Sequence, residues 1–122
     1  MYLEFLYSKH YFFTDAPEIA VDKSWVHGGV GYESVISCIV HGDPEPNVLW
    51  YRETMLLDRN NNRMMEQFGI RHRLVIARVS EKDFGNYSCL AENNLGKSRG
   101  FIELSGEIYL YQVGTLLNPL ML

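Results

Sequence analysis

Only two of the 122 residues are cysteines, Cys38 and Cys89, and no CxxC pair or adjacent histidine gives either of them metal-ligand spacing. That excludes a cysteine-bound zinc module. Lysine and arginine together number 11 against 15 acidic residues, for a formal net charge of −4, and charges of both signs are interspersed. No basic stripe exists to neutralise a phosphate backbone or grip an anionic bilayer, so nucleic acid is not an expected partner. The chain also lacks GxSxG, HExxH and a phosphate-binding loop. His10, His27, His41 and His72 are far apart and have no carboxylates at the spacing of a metal site or triad, which makes them solvated or turn residues. With no nucleophile, base and orienting group to assemble, the chain reads as a non-enzyme that needs no cofactor.

Uninterrupted apolar stretches are missing too. MYLEFLYSKHYFFTD is broken by Glu4, Lys9 and His10, so it lacks the apolar core of about 7–15 residues of a secretory signal. IYLYQVGTLLNPLML is broken by Gln112, Asn118 and Pro119 and is shorter than the ~20 residues that span a bilayer. It also follows Ser105-Gly106 without the polar spacer of a lipid-anchor signal. The expected organisation is a flanking segment at 1–16 outside the core, one domain at 17–106, and an apolar flanking tail at 107–122. The chain is then a fragment, and any membrane attachment runs through parts not in this chain.

What is present is a rhythm of turn formers. His27-Gly28-Gly29, Gly42 to Pro46, Asp58 to Asn62, Gly69, Gly85 and Asn93 to Gly96 recur too closely for helices of useful length. Between them lie strand-length segments at 33–40, 47–53, 73–79, 86–93 and 99–105. This is an all-β pattern, a sandwich or barrel. Period-two alternation puts Ile36, Cys38 and Val40 on one face of the first segment, Val48 and Trp50 on one face of the second, and Tyr87, Cys89 and Ala91 on one face of the fourth. Those faces form the expected core. Leu49, Tyr51, Asn86, Ser88, Leu90 and Glu92 then look outward, and Leu49, Tyr51 and Leu90 make a candidate binding face.

A single long-range pair is the simplest reading of Cys38 and Cys89, although two buried thiols remain possible. If bonded, the loop closure removes about 4 kcal/mol of unfolded-state entropy in the chain-entropy account and implies an oxidising compartment. Trp50, twelve positions after Cys38, can cover such a bond with its indole. Asp83, Gly85, Tyr87 and Cys89 form DxGxYxC. The tyrosine shares the second cysteine's face, and its hydroxyl can return to backbone near Asp83. Gly85 supplies a turn position where a side chain is costly, and Asp83 can cap the turn or pair with a base, for which Arg63 is the candidate.

Cys38, Trp50, the Leu74-Ile76-Val79 run, DxGxYxC at 83–89, GDPEPNVLW at 42–50 and AENNLG at 91–96 together resemble the I-set domains of the immunoglobulin superfamily. The resemblance implies a two-sheet antiparallel β-sandwich with one inter-sheet disulfide. Finer detail over 24–58 and 72–106 resembles neural adhesion proteins of the lachesin, Klingon and IgLON kind. That implies an extracellular module of a multi-domain cell-surface protein, working through homophilic or heterophilic contacts between domains or acting as a spacer. Two other settings use such domains: titin-like intracellular structural proteins, and ectodomains of signalling receptors.

Other conspicuous residues have plainer readings. Asn60-Asn61-Asn62 is a polar turn, and Met55, Met64 and Met65 fill gaps along a sandwich edge. Asn93 and Asn94 favour left-handed geometry in a tight hairpin. Asn86, in Asn86-Tyr87-Ser88, is the one N-x-S/T glycan acceptor in the sequence and is expected to point outward.

Overall fold

The computed structural model describes residues 14–106. The segments at 1–13 and 107–122, which hold most of the two expected flanks, lie outside them. Among the described residues nine strands follow in order: β1 (Asp15–Ala20), β2 (Trp25–Gly28), β3 (Ser34–Asp43), β4 (Asn47–Arg52), β5 (Met55–Leu56), β6 (Arg63–Phe68), β7 (Arg71–Ile76), β8 (Gly85–Asn93) and β9 (Gly96–Gly106). They form a four-stranded sheet, β1-β3-β7-β6, facing a five-stranded sheet, β2-β9-β8-β4-β5.

The core lies between the sheets because each inner strand alternates. Along β3, Ile36, Cys38 and Val40 are 1%, 0% and 3% exposed. The facing β8 contributes Tyr87, Cys89 and Ala91, and Leu74, Ile76, Ile102 and Leu104 complete the layer. Cys38 and Cys89 are joined across the layer with their Cα atoms 6.7 Å apart. Trp50 pairs with Cys89 in the β4–β8 register and is buried over the same layer, while Val48 is only partly buried at its margin. The strand read at 73–79 ends at Ile76, yet Val79 stays in the core. Its N–H donates to the Tyr32 carbonyl and its own carbonyl accepts from Gly31 N–H.

The corner between β7 and β8 is tied twice. Tyr87 donates its hydroxyl to the Asp83 carbonyl. Burial, then the charge of Asp83, pushes that hydroxyl's pKa up to about 12. Gly85 has φ +148°, and a Cβ there would lie 3.3 Å from Glu53 Oε2. The expected pairing of Asp83 with Arg63 does not form. Asp83 Oδ2 instead accepts from Ser80 N–H at 2.8 Å and from the Ser80 hydroxyl at 3.1 Å, while Arg63 Nε–H donates to the Asp58 carbonyl. A partner three residues away in a 3-10 turn (Glu81–Asp83) needs far less chain ordering than one twenty residues off.

β1 begins at Asp15, with Asp15 opposite Asp43 and its carbonyl accepting from Asn93 Nδ2, while Asp15 and Ala16 stay exposed outside the core. Three further expectations change. His27 and Gly28 belong to a strand and not to a turn. That strand, β2, runs parallel to β9, so the sandwich is not wholly antiparallel. The chain leaves β1 in one sheet and crosses to the other without reversing, which places it beside β9 in the same direction. The hairpin between β8 and β9 is tight, but neither Asn93 nor Asn94 is left-handed; Glu53, at φ 52°, is the one non-glycine residue with positive φ among those described. Asn93 holds the turn through its side chain: Oδ1 accepts from Leu95 N–H, and Nδ2 donates to the Asp15 and Pro44 carbonyls. Those three bonds satisfy the turn without the strain of positive φ.

Close packing near the disulfide explains one strand glycine. A Cβ on Gly100 would lie 2.7 Å from Ile19 Cγ2, 2.8 Å from Val21 Cγ2 and 3.3 Å from Cys89 Sγ. β9 can lie against β1 and the bridge only because position 100 carries no side chain.

Candidate interaction face

The outer face of the five-stranded sheet is built by register. Leu56, Tyr51, Ser88 and Phe101 form one row across β5, β4, β8 and β9, and Leu49, Leu90 and Arg99 form the next. Asn86 and Glu103 follow on one side, with Trp25 beyond them on β2. Leu49 is 44% exposed and Phe101 65%, while Tyr51 and Leu90 are half-buried. Large apolar side chains are thus gathered on one outer face by register, around Ser88 and Arg99.

Arg99 organises its centre. Its guanidinium carbon stands 4.9 Å from the Tyr51 ring centroid, and Nη1 donates to Ser88 Oγ at 2.9 Å. A cation held over an aromatic face and fixed by a second bond is pre-ordered for contact. This also corrects the expected outward exposure of Ser88. It is 4% exposed, sealed beneath the arginine with its hydroxyl oxygen satisfied.

Leu49, Tyr51, Leu90 and Asn86 thus share one surface. Arg99, Phe101, Leu56 and Trp25 also belong to it, and the sequence reading passed over them. Alternation in RGFIELS was available to find two of these, since Gly100, Ile102 and Leu104 turn inward and leave Arg99, Phe101 and Glu103 outside. Leu56 and Trp25 could not be placed so, because β5 is two residues long and β2 pairs in parallel.

The remaining candidates resolve into structural roles. Asn62 accepts from Arg78 N–H and donates to the Arg78 carbonyl, clamping the loop before β6. Met65 packs on the core, whereas Met55 and Met64 are exposed. His72 lines an open groove with Glu45 and Gln67, and Gln67 Nε2 donates to Glu45 Oε2 at 2.7 Å. Burial lowers the His72 pKa, partly opposed by the Glu45 charge. Among the described residues, no group of three or more His, Cys, Asp or Glu side chains could hold a metal ion.

Two packed sheets, a buried inter-sheet disulfide under a tryptophan, and a tyrosine returned to the corner define an immunoglobulin-type sandwich. The immunoglobulin I-set domain model matches residues 17–105, and the chain belongs to that family. It is 30% identical over 99 residues to limbic system-associated membrane protein of Gallus gallus, covering 81% of this chain and 27% of that protein. It is 39% identical over 80 residues to myopalladin of Mus musculus, covering 66% of this chain and 6% of that protein. Among solved structures, titin domains A168–A170 align with TM-score 0.72 at 26% identity, over 76% of this chain and 32% of that one. A complex of Dpr2 Ig1-Ig2 with DIP-Theta Ig1-Ig3 aligns with TM-score 0.70 at 25% identity, over 75% and 32%. The chain therefore spans about a quarter or less of the two protein relatives. Family members occur both in cell-surface proteins and in titin-like intracellular ones.

Proposed function

We propose that the chain is an extracellular protein-recognition or spacer module of a multi-domain neural cell-adhesion protein, with contacts made through the face around Leu49, Tyr51 and Leu90. The observation that carries this is the gathering of Leu49, Tyr51, Leu56, Leu90 and Phe101 on the outer face of the five-stranded sheet, with Arg99 fixed over Tyr51 at its centre. The Cys38–Cys89 bond supports an oxidising location. The similarity to a limbic membrane protein supports the adhesion setting, and the Dpr2 complex supports Ig-to-Ig contact. The domain's task on this reading is binding or spacing, not catalysis.

Charge introduced at the centre of the face tests it. Tyr51→Glu and Leu90→Glu each keep the fold, because both side chains point outward, and each weakens adhesion at least tenfold in a cell-aggregation assay with the full protein. Unchanged aggregation by variants of native thermal stability refutes the assignment.

Myopalladin and titin favour a second reading, an intracellular structural spacer. It requires Cys38 and Cys89 to be reduced thiols in protein from the native source, which thiol alkylation and mass spectrometry read directly.

A further inference from the structure

The outer face carries a feature that an adhesion role does not need. Asn86 is exposed on β8, and among the described residues no hydrogen bond engages its carboxamide. Its backbone is held firmly: Asn86 N–H donates to Glu53 Oε2 at 3.1 Å, and its carbonyl accepts from Glu53 N–H at 2.8 Å. Phe101 faces Ser88 across the β8–β9 ladder, so it is the diagonal neighbour of Asn86, and its ring is 65% exposed. Diagonal partners on one face lie roughly 7–8 Å apart, within the span of one pyranose ring laid from Nδ2 toward the aromatic face. An aromatic ring this exposed at the end of an apolar patch is otherwise an aggregation hazard.

We propose that Asn86 carries an N-linked glycan whose first sugar covers the Phe101 ring, leaving the Leu49 and Leu90 end of the sheet as the part open to a partner. This rests on the extracellular reading above. In the transfer, a lipid-pyrophosphate-linked oligosaccharide is the co-reactant. The Nδ2–C1 bond forms as the sugar's C1–O bond breaks, the lipid pyrophosphate leaves with the bonding pair, and Nδ2 gives up one proton to base. Ser88 supplies the hydroxyl two residues on that completes the recognised N-x-S/T motif. In the folded domain that hydroxyl is buried under Arg99, so transfer precedes the pairing of β8 with β9.

The test expresses the full chain behind a secretion signal in eukaryotic cells. Intact mass shows one glycan in the parent and none in Asn86→Gln or Ser88→Ala. Enzymatic trimming to the first sugar leaves Tm unchanged, whereas Asn86→Gln lowers it by roughly 2–5 °C, as expected for a small domain losing one surface contact. In a Phe101→Thr background the glycosylated and Asn86→Gln forms have equal Tm. Secreted, disulfide-bonded protein with a bare Asn86 overturns the proposal and leaves the extracellular reading standing. An undiminished Tm difference in Phe101→Thr overturns the covering of the ring. Reduced Cys38 and Cys89 in native-source protein defeat the underlying reading instead.

Discussion

Gly100→Ala adds one methyl group and meets three atoms that cannot easily withdraw. The new Cβ falls 2.7 Å from Ile19 Cγ2 and 2.8 Å from Val21 Cγ2, against a carbon–carbon optimum of about 3.5–4.0 Å. Both methyls sit on β-branched side chains with stiff χ1, so relief requires backbone movement of β1 relative to β9. Cys89 Sγ, 3.3 Å away, is fixed by its bond to Cys38 and blocks movement the other way. Overpacking of this kind costs about 1–3 kcal/mol, while replacing a strand glycine with alanine returns about 0.5–1 kcal/mol of backbone entropy. The mid-range values leave a net loss of about 1 kcal/mol, or a Tm fall of roughly 4–8 °C for a domain near 100 residues. Thermal unfolding followed by far-UV circular dichroism measures it. Ile19→Ala opens space beside position 100, so in that background Gly100→Ala costs less than it does alone. A Gly100→Ala protein as stable as the parent refutes the close approach of β1 to β9.

Trp50→Ala empties the space beside the disulfide and costs about 3–5 kcal/mol in chemical denaturation, and a loss below about 1 kcal/mol would contradict the core placement. Tyr87→Phe removes the bond to the Asp83 carbonyl and costs about 0.5–1.5 kcal/mol at neutral pH. The Tyr87 hydroxyl is raised in the folded state, so its contribution is fully present below pH ~10, where the unfolded tyrosine begins to ionise, and is lost as pH rises through about 12. Urea titrations at pH 9 and pH 11.5 show a steeper decline in the parent than in Tyr87→Phe; parallel declines count against the buried hydroxyl.

The core was readable because chemistry and period coincide at Cys38, Trp50, Tyr87 and Cys89. Each is a residue of distinctive shape or reactivity at an inward position of a period-two strand. The outer face was only half readable for the opposite reason. Leu49, Tyr51 and Leu90 follow from alternation within one strand, but Arg99 over Tyr51 depends on β9 lying next to β8 and β8 next to β4. The burial of Ser88 likewise depends on a long side chain reaching from the neighbouring strand. Met64 sits in an edge strand, β6, that propensity alone leaves indistinct, because RMMEQF has neither β-branched residues nor clean alternation.

Local patterning therefore determined that the chain is all-β, a sandwich or barrel, which residues enter its core and where its corner lies, and the resemblance to I-set domains narrowed this to the sandwich. Such features need only a residue's own type and its parity along the strand. Tertiary structure alone decided that β2 runs parallel to β9, that Gly100 admits no side chain and that Phe101 lies diagonal to Asn86. Each of these is a relation between segments, set by which strands become neighbours and in what register, and period-two alternation within a single strand carries no information about either.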